Sequence, residues 1–341
     1  MKEPVFLQAC RCEPTPYTPV WLMRQAGRYM PEYRAVRDKV PFLELCKTPD
    51  LAAQVTVEAV ERLGVDAAII FADILLILEP MGVGLEFAPG DGPIIHRPVR
   101  SGADVDRLED KPPSETVSFV FDAVRKVRAA LADDIALIGF AGAPFTVASY
   151  LIEGGSSRNY VETKRLMYAD HGAWQALMDH LVRVTTDYLN EQIAAGAQAV
   201  QLFDSWIGCL SPDDYRTFIL PHMQTLIQGI SPGAPVIHFG TNTGGLLELL
   251  AEAGGDVIGV DWRIDLDVAW PRSGFDRAVQ GNLDPVTLFA PLDTLRRQTQ
   301  RVLDAAAGRP GHIFNLGHGI LPQTPVEHVV ALVEMVHEMS A

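Results

Sequence analysis

Short apolar runs rich in β-branched residues recur along the chain at positions 20–23, 67–71, 135–140, 199–203, 236–239, 257–260, 278–280 and 313–316. Between most of them lie longer segments, 51–63, 116–131, 175–195 and 246–253, whose apolar positions repeat at helical spacing. The alternation predicts eight strands separated by helices. Thr48, Ser211, Asp284 and Thr324 each precede a proline, placing a capping side chain before a residue suited to the first helical turn. Thr324 and Glu327 also have capping-box spacing. Gly64 and Gly196 stand where a left-handed residue would end a helix.

One stretch departs from the alternation. Residues 83–87 and 94–99, separated by the turn Pro89-Gly90-Asp91-Gly92, predict a β-hairpin inserted after the second strand. Lys111-Pro112-Pro113 reads as a rigid connector, because helical spacing resumes at once. Eight strands alternating with helices fit either a closed barrel or an open doubly wound sheet. The strand count favours closure, and no GxGxxG turn or GxxxxGK[ST] loop marks an open nucleotide-binding sheet. The expected fold is an α/β (β/α)8 TIM barrel, one domain over residues 1–341, with the hairpin as a small insertion.

With 48% hydrophobic and 21% charged residues, the chain can bury a substantial core. Its net charge of -15 opposes binding to nucleic acid or to an anionic membrane. The most apolar stretch, 67–85, is broken by Asp73, Glu79 and Pro80 and falls short of a membrane span. The opening MKEPVFLQAC lacks the pattern of an export signal. Cys10, Cys12, Cys46 and Cys209 show no CxxC spacing, so reduced thiols in a cytoplasmic protein are expected.

If the ligand of so acidic a chain is an anion, its cations must be locally concentrated. Such a concentration follows the first strand, where Arg24, Arg28, Arg34 and Arg37 fall within fourteen residues of each other. Guanidinium groups grip carboxylates in a planar fork; the competing reading is a surface set pairing with Glu32, Asp38 and Glu44. Asp73 sits inside the apolar run 69–76, where a charge is costly unless paired or hydrogen-bonded. It is either a helix cap or a functional carboxylate. Tyr150, Ser205 and His318 mark three more strand ends, and barrel sites are assembled from strand ends. Taken alone, each of the three reads first as a buried tyrosine, a capping serine or a satisfied histidine.

The stretches RQAGRYMPEYR, FADIL, GAPFTVASYLIEGG, FDSW, QGNLDP and NLGHGILPQTP carry a resemblance to the uroporphyrinogen decarboxylase family that spans nearly the whole chain. It implies a barrel, usually homodimeric, that converts uroporphyrinogen III to coproporphyrinogen III in heme biosynthesis, releasing four carbon dioxide molecules without cofactor or metal. By position it assigns Arg24 and Arg28, with the intervening Gln25, Ala26 and Gly27, to substrate binding. Asp73 matches the family's central aspartate, and Tyr150, Ser205 and His318 match further substrate-contacting positions. Arg24, His318 and a bound water are the candidate proton donors.

Two other functions compete. A barrel methyltransferase that activates a thiol on zinc needs a late His-x-Cys pair and a further cysteine; here Gly240 follows His238-Phe239, and no cysteine follows Cys209. A non-catalytic tetrapyrrole-binding protein would have no use for Asp73 among apolar neighbours. His171, His180, His328 and His337 lack HExxH spacing.

Overall fold

The predicted alternation folds into a parallel sheet whose two outer strands meet. A computed structural model of the protein describes residues 3–88 and 92–341. The sheet strands are β1 (Ala67–Ile69), β4 (Ala136–Gly142), β5 (Ala199–Asp204), β6 (Val236–Gly240), β7 (Val257–Gly259), β8 (Ala278–Gln280) and β9 (His312–Ile313), paired in that order. Every pairing is parallel. A two-stranded antiparallel ribbon, β2 (Leu85–Ala88) with β3 (Gly92–Ile95), is the predicted hairpin. Three residues of its expected turn, Pro89, Gly90 and Asp91, lie outside the described residues.

The first predicted strand, 20–23, is reduced to a single parallel bridge between Val20 and Phe314. The reason lies in its partners. On the β9 side Trp21 N–H donates to Phe314 at 3.3 Å and Phe314 N–H donates to Pro19 at 2.9 Å. On the β1 side the Val20 N–H goes to the Asp66 carboxylate at 2.7 Å rather than to a backbone carbonyl, while Asp66 N–H returns to Val20 at 2.8 Å. A side chain replaces one rung of the ladder, and the segment still joins both edges. An open sheet would leave those edges unpaired; here the seam closes the barrel.

The interior alternates with the exterior along each strand. Trp21 Nε1 donates to Gln280 Oε1 at 2.9 Å, and Gln280 Nε2 donates to Gln201 Oε1 at 3.0 Å, a buried polar chain across the barrel. Nearer the C-terminal ends of the strands, Phe140, Phe203 and Phe239 stack edge to face, with centroids 5.4 and 5.9 Å apart. Helices cover the outside. Pro49–Leu63, Ser118–Ala130, His171–Ala195 and Leu247–Ala253 match the four periodic segments.

Ser211 and Asp284 cap as expected, accepting from the N–H groups of Asp214 and Val286. Two other expected caps do not form. Thr48 turns its hydroxyl back to the Glu44 carbonyl at 2.8 Å, and Thr324 Oγ1 is buried without a partner ahead of the helix Val326–Ser340. Gly64 takes φ 69° and ends its helix in the left-handed conformation. Gly196 also has positive φ, at 120°. The four cysteines are unpaired. No helix among the described residues is long and apolar enough to cross a membrane.

The seam makes a stability prediction. Asp66 accepts from Val20 N, from Tyr17 OH at 3.0 Å and from His337 Nε2 at 2.8 Å. Asp66→Ala strands a buried N–H and is expected to lower the unfolding free energy by about 2–3 kcal/mol in chemical denaturation. Loss of less than about 0.5 kcal/mol would show that the seam closes without this carboxylate.

Candidate active site

The loop that leaves the seam carries Arg24 to the C-terminal ends of the strands, where the space between the loops is termed the cleft. Met23 N–H donates to Asn315 Oδ1 at 3.1 Å, and Ile320 N–H donates to the Met23 carbonyl at 2.9 Å. Gln25, 1% exposed, accepts from Leu22 N–H at 3.1 Å and donates to the Ala67 carbonyl at 3.1 Å. Arg24 is pinned between these two anchors at φ 63°, a left-handed conformation that costs a non-glycine residue about 1 kcal/mol or more. Its side chain is exposed. The Gln25 side chain, expected among the ligand contacts, is committed to bracing this loop.

Asp73 follows β1 on the next loop and is partly exposed to the cleft. Its Oδ1 accepts from the Leu75 N–H at 2.9 Å, ahead of the 3-10 helix Leu76–Met81. The capping and the functional readings therefore coexist, one oxygen for each. Desolvation by the surrounding atoms raises the carboxyl to about 6; the Leu75 N–H and the Arg24 charge pull it back only in part.

Tyr150 lies in the helix Pro144–Glu153 after β4. Burial and the nearby Asp73 charge push its hydroxyl up to about 12, against Arg24. Its ring stacks on Trp206 with centroids 3.8 Å apart and planes inclined by 29°. His318 belongs to the Gly317–Gly319 turn that follows β9. Burial first, then the charges of Arg24 and Arg263, lower its imidazole to about 4, with Asp261 acting the other way. Nδ1 accepts from Gly319 N–H at 2.6 Å, so the neutral ring carries its proton on Nε2. Gly317 is required, because a Cβ there would strike the Trp262 backbone, and a Cβ on Gly319 would displace the Arg24 stem. Arg24 is thus the common neighbour of Asp73, Tyr150 and His318.

Ser205, partly exposed, follows β5 and is held through its carbonyl by the Thr241 hydroxyl. Behind it Asp204, fully buried, accepts from Thr146 Oγ1 at 2.7 Å. Thr146 Oγ1 in turn accepts from Trp206 N–H at 3.2 Å. Burial raises the Asp204 carboxyl to about 7. This network fixes the aromatic neighbour of Tyr150, and neither Trp206 nor Asp204 stood out from the sequence. Ala26 and Gly27 are half-buried in the Arg24 loop, and Arg28 is exposed beyond them.

His238 is not part of the cleft. It alternates with the inward-facing Phe239, so it points to the layer between sheet and helices beside Leu250, and burial lowers it to about 4. Among the described residues no three His, Cys, Asp or Glu side chains gather as metal ligands.

The family described as uroporphyrinogen decarboxylase (URO-D) matches residues 1–339. The chain belongs to this family. Proteins named uroporphyrinogen decarboxylase from Carboxydothermus hydrogenoformans and Sorangium cellulosum are 58% and 59% identical to it over 337 and 335 residues. Each alignment covers 98% of this chain and 96% of the relative. In structure, a methyltransferase from Methanosarcina mazei aligns with TM-score 0.83 over 99% of both chains at 20% identity. That likeness shows the barrel fold alone. The uroporphyrinogen decarboxylase family and the methyltransferase thus share an architecture, and the cleft side chains must carry the distinction.

The electrostatics of His318 are directly measurable. NMR of histidine-labelled protein is expected to show a neutral ring with its proton on Nε2 from pH 8 down to about 5. Arg24→Gln removes a depressing charge and is expected to move the titration upward. A His318 already protonated at pH 7 would contradict this assignment.

Proposed function

We propose that this chain is a carboxy-lyase that decarboxylates the four acetate arms of uroporphyrinogen III, giving coproporphyrinogen III in heme biosynthesis. The observation that carries the reading is a desolvated carboxylate, Asp73, close enough to the Arg24 guanidinium and to Tyr150 for their charges to act on one another, at the strand ends of a barrel whose sequence belongs to this family throughout. We further propose that the enzyme works in the cytoplasm as a homodimer, each chain a single barrel domain, and without metal or cofactor.

The substrate supplies the chemistry that a cofactor supplies elsewhere. A proton added to the pyrrole carbon beside the acetate makes an iminium-like ring. The carbon–carboxylate bond then breaks, its electron pair flows into that ring, and carbon dioxide leaves. A second proton converts the resulting exocyclic methylene to methyl, and loss of the first restores the pyrrole. In sum, each acetate and one proton become a methyl group and carbon dioxide.

Asp73 is suited to the cationic stage. With one oxygen held by Leu75, the other can accept from pyrrole N–H groups, and its charge gains strength from the low dielectric that raises its pKa. Arg24 and Arg28 hold carboxylate arms in their planar forks. His318, neutral in the free enzyme, offers an Nε2–H to a carboxylate and is a poor proton donor there. Tyr150, at about 12, likewise serves as a hydrogen-bonding hydroxyl.

The deciding experiment is anaerobic incubation of metal-stripped protein with uroporphyrinogen, followed by separation of the oxidised products by carboxyl number. Seven- to four-carboxyl porphyrins are expected without any addition; recovery of only eight-carboxyl material would leave a binding protein. Within that assay Asp73→Asn is expected to lower kcat/KM by about 10²-fold or more. The unaltered enzyme should lose kcat/KM by about tenfold per unit below pH 6, as Asp73 takes up its proton. A flat profile through pH 6 would remove the anionic role of Asp73.

A further inference from the structure

A third guanidinium stands on the same rim. The chain leaves β7 through Val260, and the next residue, Asp261, has a side chain only 1% exposed. That carboxylate accepts from the N–H of Asn242, from the N–H of Arg263 and from Arg263 Nη1. The Arg263 guanidinium carbon also lies 3.9 Å from the centroid of the Trp262 ring. One edge of the fork is thus fixed by a buried anion and one face by an indole, and the side chain is still 46% exposed. Its hydrogen bond among the described side chains is the one from Nη1, so Nε and Nη2 keep donors for an incoming acceptor.

The backbone shows where those donors stand. Gly317 packs on the Asp261–Trp262 peptide and Gly319 packs on the stem of Arg24, each too closely for a Cβ. The turn between them carries His318. Arg24, His318 and Arg263 therefore follow one another along the cleft edge, and the charges of both arginines act on the imidazole. Of the two, Arg24 is the one whose charge acts on Asp73 and Tyr150.

We propose that Arg263 binds a propionate carboxylate of the tetrapyrrole, with Asp261 and Trp262 as the positioning residues that hold its fork ready. The assignment rests on the decarboxylase reading above. The reacting acetate belongs above Asp73, within the reach of Arg24. Arg263, on the far side of His318, meets an arm that stays on the macrocycle through all four rounds. A preformed fork spends little ordering entropy on binding, which favours a planar, bidentate carboxylate contact.

Propionates and acetates can be told apart, because four propionates persist while the acetates disappear one at a time. Initial rates would be measured anaerobically on eight-carboxyl and five-carboxyl porphyrinogens. Arg263→Gln is expected to raise KM about tenfold on both substrates, with kcat within about twofold. Arg263→Lys, which keeps the charge but loses the fork, should recover part of that loss. Arg309→Gln removes an arginine stacked on Phe275 ahead of β9, at the other end of the barrel, and serves as the net-charge control. A rise in KM on the eight-carboxyl substrate alone would give Arg263 an acetate and overturn the propionate assignment. Unchanged KM on both would remove the contact altogether. If the unaltered enzyme yields no product below eight carboxyls, the decarboxylase reading fails and this assignment falls with it.

Discussion

The cleft depends on how the sheet closes. A parallel barrel must join its last strand to its first, and here that joint is a segment too short to be a strand. Its bonds run to Phe314 on one side and to Asp66 on the other. Because the joint is so brief, the chain is free to turn within four residues of Val20, and the turn is where Arg24 stands. A longer first strand would carry the same residues past the rim in extended form. Closure and cleft are thus one piece of backbone: the anchors that seal the barrel, Asn315 and Gln25, also hold Arg24 in a left-handed conformation.

The second constraint is electrostatic. The chain carries 43 acidic and 28 basic residues, so an anionic substrate meets a repellent protein except where cations gather. Arg24 and Arg263, whose charges both act on His318, gather in this way, and the acids next to them are individually handled. Asp261 is spent on orienting Arg263. Asp73 is desolvated, which puts its pKa at about 6 against 3.8 for an ordinary aspartate. For an acid raised in this way, the folded state loses stability as pH climbs from the lower value to the higher, and the full cost is present at neutral pH. A carboxylate kept ionised at such a cost is what the proposed stabilisation of a developing positive charge would call for.

Much of this was legible in the sequence because it is local. Apolar spacing located seven strands and the principal helices, and the hairpin followed from its flanking runs. The seam was not legible as a seam, because its brevity comes from Asp66 taking the place of a backbone carbonyl, a contact between segments 46 residues apart. Thr324 and Glu327 had the spacing of a capping box, yet the helix starts beyond Pro325 and leaves the hydroxyl unpartnered. In the cleft, residue types at strand ends pointed to Arg24, Asp73, Tyr150 and His318. Gln25 shares their motif but faces the framework. Trp206 and Arg263 were missed for the opposite reason: each matters through a neighbour, Tyr150 or His318, that only the fold brings near.

The likeness to a methyltransferase barrel is one of fold, so the side chains that the fold presents have to be read for themselves. Along a strand the side chains alternate, so a position is inside or outside by parity. His238 is on the helix side of β6, sealed beneath Leu250 and held neutral, and its neighbour Phe239 takes the inward position against Phe203. A metal-binding histidine in this strand would need the other parity or a place beyond the strand end. The inward ends here present rings and guanidiniums around one carboxylate instead. In the proposed decarboxylase reading, such a surface would offer flat apolar contact to a macrocycle, forks to its arms and a negative charge to its centre. The barrel supplies the positions, and the side chains at the strand ends supply what chemistry there is.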